Sequence, residues 1–256
     1  MPVSPREKWR TGIENTKEFH NEMNYLVVIP ARGGSKRVAN KNLRLLGDKP
    51  LVNWTIDLAK KVFDKSTIIV STDDERIATI AKNNGINVPW LRPEELSTDT
   101  ARTVDVVIHA VNWYEEEYGP IDGIVLLQPT SPFRSEKTLK NALRLYELNN
   151  KKSIVTVSPS KSHPEWQYVI HNDRLMPLIP SAEQRLRSQE LKTSLQLNGL
   201  IYIVKPSEIR NTKNFVNIDT IPLIVASEVE SLDIDTELDF KIASMLSKVA
   251  LIFYLK

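Results

Sequence analysis

Short apolar segments alternate with longer amphipathic segments along most of the chain. The apolar segments begin at Tyr25, read YLVVIP, STIIVST, DGIVLLQ and KSIVTVS, and have the length of buried strands. Between them the apolar spacing is helical, which predicts helices at Leu51–Val62, Asp74–Asn83, Thr103–Glu117 and Glu136–Leu148. Alternating strands and helices are typical of an α/β fold with a mostly parallel sheet and helices on both faces.

The alternation is interrupted by residues 159–197, which contain prolines, aromatic residues and a turn-forming HNDR stretch. This composition predicts a small β-rich excursion, with Trp166, Tyr168 and Ile170 on one face of a strand. An excursion of this size is too small to form a hydrophobic core of its own. We therefore expect it to be a dimerisation subdomain that packs against a partner subunit, the alternative being that it covers its own domain.

The remaining chain divides into an extension and one large domain. Residues 1–24 mix charges of both signs and form a predicted N-terminal extension, and residues 25–256 form the domain that carries the excursion. The sheet is expected to resume at NGLIYIVK and IPLIVAS, and a helix from Thr236 closes the chain.

Composition limits the possible partners. With 34 basic and 32 acidic residues the net charge is only +2, so we expect no general affinity for nucleic acid or membranes. The chain has no cysteine, which excludes disulfides, thiolate nucleophiles and cysteine-ligated metals. No signal-peptide pattern occurs, and no apolar run approaches the ~18 residues of a membrane span. These features favour a cytoplasmic protein.

The loop after the first predicted strand, ARGGSKR, combines adjacent glycines with several cations. Loops at the carboxyl ends of parallel strands are the usual ligand sites of such sheets. Gly33 and Gly34 can expose backbone N–H groups to an anion, while Arg32 and Lys41 can neutralise it. The spacings G-x-x-x-x-G-K-[ST] and G-x-G-x-x-G are both absent. The loop therefore predicts a phosphate site of another type, unless it is only a solvated basic turn.

The segment SLDIDTELDF places Asp233 and Asp235 two residues apart, on one side of an extended stretch, with Ile234 on the other. Two carboxylates on one side suit a hard cation such as Mg²⁺, although Asp235 or Thr236 could instead cap the following helix. Phosphoryl and nucleotidyl transfer need both cations at the phosphates and a carboxylate-held metal. The loop and the acidic pair together indicate a transferase that uses a nucleoside triphosphate.

Six segments in the same order resemble the acylneuraminate cytidylyltransferases, also called CMP-sialic acid synthetases. The segments read IPARGGSKRVANKNLRLLGDKPLVNWTID, IIVSTDDERIATIAKNNGINV, LRPEELSTDTA, LLQPTSPFR, NGLIYIV and SLDIDTELDF, and the match as a whole extends from about Tyr25 to Ser247. The resemblance implies a Rossmann-like sheet and a cytoplasmic homodimer that uses Mg²⁺. It also implies that the 2-hydroxyl of a nine-carbon 2-keto sugar acid attacks the α-phosphorus of CTP. Pyrophosphate would leave, and the CMP-sugar would serve cell-surface polysaccharide biosynthesis.

The same resemblance implies a role for each matching position. The triphosphate would be bound by Arg32, Ser35, Lys41 and Asn42. Cytosine and ribose would contact Arg92, Ala101 and Thr103. Gln128 would contact the sugar acid, unless it is only a turn residue before Pro129, and Asp233 and Asp235 would hold the metal. The catalytic set would be Arg32, Lys41 and Asp235.

The segment LRSQELKTSLQLNG departs from the family pattern. Ser188 and Gln196 stand where basic residues are common, and Leu195 stands where an aromatic residue is common. Arg187, or Arg185, is a candidate for the contact with the sugar carboxylate. The acceptor therefore remains open among neuraminate, legionaminate, pseudaminate and other nonulosonates. Another sugar acid such as Kdo, or a nucleotide-binding module without catalysis, remains as an alternative.

Overall fold

A computed structural model describes residues 23–179 and 191–254, with the side chains of 249–254 excluded. Its strands are, in chain order, β1 (Tyr25–Pro30), β2 (Leu45–Leu46), β3 (Lys49–Pro50), β4 (Ile68–Ser71), β5 (Gly123–Leu126), β6 (Ile154–Pro159), β7 (Tyr168–His171), β8 (Arg174–Pro177), β9 (Leu195–Val204) and β10 (Ile221–Ile224). Its α-helices are α1 (Leu51–Val62), α2 (Glu75–Asn83), α3 (Thr103–Tyr118), α4 (Glu136–Leu148), α5 (Pro206–Thr212) and α6 (Glu237–Tyr254).

Six strands form one central sheet in the order β10-β6-β9-β5-β1-β4. β1 is parallel to both β4 and β5, and β10 is parallel to β6, whereas β9 is antiparallel to β5 and β6. The prediction of an α/β fold with a mostly parallel sheet is therefore confirmed. The resumed strand NGLIYIVK is the one that runs in the opposite direction.

The buried side chains of β1 alternate between two cores on opposite faces of the sheet. Val27 and Ile29 pack in a cluster with residues of α1, α2 and α4, whereas Leu26 and Val28 pack with α3 and α5. A strand covered on both faces must be apolar throughout, which explains the continuous YLVVI run. The predicted helices on both faces of the sheet are thus present.

The predicted helix bounds differ from the observed ones by at most one residue, and capping explains one difference. Asp74 accepts a hydrogen bond from the N–H of Arg76 at 2.8 Å, so it caps α2 and the helix begins at Glu75. Ser135 caps α4 in the same way by accepting from the N–H of Thr138 at 3.1 Å.

Within the predicted excursion, β7 and β8 form a separate antiparallel hairpin. Its turn residues Asn172 and Asp173 both have left-handed backbone angles, with φ of 49° and 57°, as a tight two-residue hairpin requires. Tyr168 and Ile170 alternate along β7 and share a face. The placement of Trp166 on that strand was wrong, because Pro164–Trp166 forms a 3₁₀ turn before it. Proline at the start of that turn favours the helical over the extended conformation.

Most of the N-terminal extension lies outside the described residues, as do Arg185, Arg187 and Ser188. Leu195 and Gln196 lie at the exposed start of β9, where they pair with the end of β6. The division into extension, domain and dimerisation subdomain stays a prediction. Among the described residues, no helix is both long enough and apolar enough to cross a membrane.

Candidate active site

A cleft of about 610 Å³ opens at the carboxyl ends of β1 and β5. Its walls are the loop after β1, the segments before and at the start of α3, the turn after β5 and the segment before α6. The candidate residues that line it are Arg32, Ser35, Lys41, Asn42, Arg92, Ala101, Thr103, Gln128 and Asp235. Asp233 does not line the cleft, and Arg187 lies outside the described residues. Their functional roles remain predictions, but the fold brings most of these residues together.

The loop after β1 is held in shape by one inward-facing side chain and one amide. Val38 is fully buried in a small cluster that includes Ile234 and Phe240. The side-chain Nδ2 of Asn42 donates to the backbone carbonyl of Arg32 at 2.9 Å, which ties the two ends of the loop together. The loop therefore presents its cations from a fixed backbone.

Each cation of this loop lies near a carboxylate across the cleft. Asp99 pairs with Arg32 at 2.9 Å and with Lys36 at 2.5 Å. Asp235 lies 3.4 Å from Arg37 and 3.6 Å from Lys41. The sequence interpretation missed Asp99, although its position within STDTAR was a usable signal. A bound triphosphate would compete with these carboxylates for the same cations.

Gly33 is required by a close approach between the loop and the segment after β4. A Cβ at Gly33 would lie 2.5 Å from the Oδ2 of Asp74, which is closer than side chains allow. The N–H of Gly33 donates to Asp73 at 2.9 Å. The sequence interpretation also missed Asp73, although it lies two residues after β4, at the carboxyl end of that strand, where ligands usually bind.

Arg92 forms part of the cleft wall and is anchored on the end of β4. Its Nε donates to the Ser71 hydroxyl at 3.1 Å, and its Nη2 donates to the Ser71 carbonyl. Burial lowers the pKa of Arg92 to about 10, so the guanidinium is still charged at neutral pH. A fixed cation in this position suits a polar or anionic part of a nucleotide. Thr103 is the first residue of α3, and Ala101 lies two residues before it.

The two aspartates differ in their surroundings. Ile234 is fully buried between them, as the alternation predicted. Asp235 is half-exposed beside Lys41, whereas burial raises the pKa of Asp233 above its usual value. The Oδ1 of Asp233 is buried without a hydrogen-bond partner in the described part of the chain. A carboxylate oxygen in that state fits a cation ligand.

The Asp235 side chain does not cap α6. The Thr236 hydroxyl accepts from the N–H of Asp239 at 3.2 Å, and Asp239 accepts from the N–H of Thr236 at 2.7 Å. This reciprocal pair starts α6, so both carboxylates before it remain available. The described residues contain no group of three or more acidic or histidine side chains that could hold a metal. A divalent ion would therefore depend on this pair together with substrate oxygens and water.

Gln128 lies at the turn after β5, against Gly199 of β9. Gly199 has a φ of 74°, and a Cβ there would lie 2.9 Å from the Oε1 of Gln128. The carboxamide thus packs on a surface that only glycine leaves free. Gln128 and Arg92 both line the cleft, Gln128 from the turn after β5 and Arg92 from the segment between α2 and α3.

Comparison with known proteins identifies the family. The cytidylyltransferase family model matches residues 26–202. The chain is 39% identical to the CMP-N,N'-diacetyllegionaminic acid synthase of Legionella pneumophila, over 89% of this chain and 97% of that protein. It is 35% identical to the N-acylneuraminate cytidylyltransferase of Escherichia coli O18:K1:H7 over 85% of this chain, and spans about half of that relative's length, 51%.

A solved CMP-2-keto-3-deoxy-manno-octonic acid synthetase in complex with CTP has a similar fold, with a TM-score of 0.64 over 88% of this chain and 99% of that one. The sequence identity to it is 17%, so this likeness concerns the fold alone. The family model and the two sequence relatives agree with the resemblance drawn from the motifs. The chain belongs to the cytidylyltransferase family.

Proposed function

We propose that this protein transfers the cytidylyl group of CTP to a nine-carbon 2-keto sugar acid, and that a legionaminic-acid-type sugar is its acceptor. The observation that carries the proposal is the meeting of the loop cations with Asp235 in one cleft, where Lys41 and Asp235 lie 3.6 Å apart. Nucleotidyl transfer requires this combination, because its transition state concentrates charge on phosphate oxygens.

In the proposed reaction the 2-hydroxyl oxygen of the sugar acid attacks the α-phosphorus of CTP. The bond from that phosphorus to the β-phosphate oxygen breaks, pyrophosphate leaves, and the hydroxyl proton passes to solvent. Arg32 and Lys41 would stabilise the charge that develops on the departing pyrophosphate. Asp233 and Asp235 would hold Mg²⁺, which when bound would neutralise and orient the phosphate oxygens.

Binding of the triphosphate would exchange partners within the loop. Arg32 and Lys36, which pair with Asp99, would turn to phosphate oxygens, which carry more charge than one carboxylate. The fixed guanidinium of Arg92 and the backbone around Ala101 and Thr103 would receive ribose and cytosine. Gln128 would receive the sugar acid.

The choice of acceptor is supported by the 39% identity to the legionaminic acid synthase over nearly all of that relative's length. It is also supported by Leu195 and Gln196, which replace the aromatic and basic residues common in the sialic acid enzymes.

We also propose a homodimer that forms through the β7–β8 hairpin. The hairpin pairs with no other strand of the described residues, and it exposes several large apolar side chains. These are Tyr168, Val169, Ile170, Leu175 and Met176, followed by Leu178 and Ile179. Apolar side chains exposed on a two-stranded hairpin favour burial against a second subunit. A cytoplasmic location is consistent with the absence of cysteine.

A substrate panel tests the proposal. The purified protein is incubated with Mg²⁺, each of the four nucleoside triphosphates, and N,N'-diacetyllegionaminic, N-acetylneuraminic, pseudaminic or 2-keto-3-deoxyoctonic acid. Pyrophosphate release is measured, and the CMP-sugar is identified by mass spectrometry. We expect turnover with CTP alone and the highest kcat/KM with the legionaminic acid. An Asp235→Asn variant, prepared identically, controls for contaminating activity.

Each other outcome has a separate meaning. Equal turnover with UTP would contradict selection of the base. A higher kcat/KM with N-acetylneuraminic acid would overturn the choice of acceptor but retain the reaction. CTP binding without turnover of any acceptor would favour a nucleotide-binding module.

A further inference from the structure

Arg134 is a buried arginine at the turn between β5 and α4, and it lies outside the residues assigned above to substrates. Only 4% of it is exposed. Its Nε donates to the backbone carbonyl of Leu200 at 2.6 Å, and its Nη2 donates to the backbone carbonyl of Gln128 at 2.9 Å. One guanidinium therefore joins the end of β5 to the middle of β9.

These two carbonyls belong to the place where the Gln128 side chain is held. Leu200 follows Gly199, and the Gln128 carboxamide lies against Gly199 so closely that a Cβ there would be 2.9 Å from its Oε1. The planar guanidinium can hold both carbonyls at once, since its donors point in fixed directions. It thus sets the distance between the strand end that carries Gln128 and the glycine on which the carboxamide packs.

A role in packing alone does not account for this residue. Burying a charge is costly, and apolar side chains of similar volume often replace buried ions without loss of stability. The charge of Arg134 is offset by Glu230 and Asp233. Its Nη1 and the nearby Ser131 hydroxyl are buried without hydrogen-bond partners in the described residues. The guanidinium therefore lacks some of the hydrogen bonds that a purely structural buried arginine would need. Its hydrogen bonds to the two carbonyls both hold the backbone around the Gln128 carboxamide.

We propose that Arg134 is a positioning residue for the acceptor, holding the Gln128 carboxamide in place through the carbonyls of Gln128 and Leu200. The inference rests on the proposed function through the role of Gln128. Arg134 acts on the turn that carries Gln128, whereas the CTP-binding candidates lie on the loop after β1, at Arg92 and around the start of α3. Substitution of Arg134 should therefore weaken binding of the sugar acid more than binding of CTP.

The test compares Arg134→Lys with the wild-type protein. Lysine keeps the positive charge but lacks the fixed fork that reaches two carbonyls. We expect the KM for the legionaminic acid to rise about tenfold, since misplacing a binding group weakens the bound geometry. The Kd for CTP, measured by calorimetry, stays within about twofold. Arg210→Lys is the matched control, because Arg210 also binds polar partners, Asn112 and Glu115, but lies outside the cleft lining.

A double-mutant cycle gives the readout that a merely structural role would not produce. If Arg134 acts through the Gln128 side chain, Arg134→Lys in a Gln128→Ala background changes the acceptor KM by less than about twofold. Additive effects, or equal losses for CTP and acceptor, would overturn the proposal.

A second variant keeps the test decisive if Arg134→Lys does not fold. Gly199→Ala would place a Cβ 2.9 Å from the Oε1 of Gln128, so it disturbs the same carboxamide directly and is expected to raise the acceptor KM with little change in CTP binding. An unchanged acceptor KM in that variant would also overturn the proposal. Absence of wild-type turnover with every acceptor would instead overturn the proposed function, and this inference with it.

Discussion

The ammonium group of Lys41 lies 3.6 Å from a carboxylate oxygen of Asp235, at the point where the loop after β1 meets the segment before α6. The same ammonium donates to the carbonyl of Ile234 at 2.7 Å, and only 13% of the Lys41 side chain is exposed. Burial lowers the pKa of Lys41, although Asp235 and Asp233 oppose the shift. The lysine is thus fixed between the phosphate loop and the candidate metal ligands.

Replacing Lys41 with methionine should remove most of the activity. A fixed cation beside developing phosphate charge contributes roughly 3 kcal/mol, or on the order of a hundredfold in kcat. The measurement is steady-state pyrophosphate release with saturating CTP. Lys61→Met, at an exposed position on α1, is the matched control and should retain wild-type rates. A loss of less than about fivefold for Lys41→Met would contradict a role in the reaction.

Asp99→Asn should tighten the binding of the triphosphate. Asp99 holds Arg32 and Lys36, and a nucleotide must replace it at both cations. Because these ion pairs are exposed to solvent and therefore weak, we expect only a two- to tenfold lower Kd for CTP. Titration calorimetry at low and high salt measures the change, and the difference should shrink at high salt. Weaker binding would indicate that Asp99 itself contacts the nucleotide.

The Asp233→Asn variant should lose the stabilisation by Mg²⁺ without losing stability in the absence of metal. Burial raises the folded-state pKa of Asp233 above its unfolded value, so the ionised carboxylate reduces stability at neutral pH. Without metal, we expect the variant to have a Tm equal to or above that of the wild type. Added Mg²⁺ should raise the Tm of the wild type but not of the variant. Identical Mg²⁺ responses of the two proteins would remove Asp233 from the metal site.

His109 should make the protein less stable in mild acid. Burial lowers the pKa of His109 below its ordinary 6.5, so between those two values the unfolded chain binds the extra proton. Its stabilising effect is present above about pH 6.5 and is lost as the pH falls below that value. Urea unfolding at several pH values from 7.5 to 5.5 measures the loss.

His109→Phe retains a ring against Trp90, whose ring centroid lies 4.8 Å from that of His109. The variant should show a smaller loss of stability over the same pH range. An unchanged pH dependence would assign the effect to other groups.

Ile170→Asp should dissociate the proposed dimer. Ile170 is 78% exposed on the β7–β8 hairpin, and a charge there would oppose burial of the apolar surface. Sedimentation velocity should change from a dimer to a monomer at micromolar concentration. Ile218→Asp, at a fully exposed isoleucine outside the hairpin, should leave the oligomeric state unchanged. A wild-type monomer would overturn the homodimer itself.

Much of the fold could be predicted because its signals are local. The bounds of α1 and α4 follow from the apolar spacing and the flanking residues within each segment. The strand β1 can be predicted from the sequence because burial on both faces requires a continuous apolar run. Trp166 was misplaced because two alternating aromatic residues also fit a 3₁₀ turn followed by a strand. The acceptor contact assigned to Arg187 lies outside the described residues and stays a prediction.

The sequence by itself determined the alternation of strands and helices, the cationic loop after β1 and the availability of an acidic pair, since each depends on residues close together in the chain. Only the tertiary structure decided that Lys41 meets Asp235, that Asp99 and Asp73 bind the loop after β1, and that Arg134 joins Gln128 to Leu200. Those contacts join segments far apart in sequence. Their distances depend on how the strands are ordered in the sheet, which local periodicity does not encode.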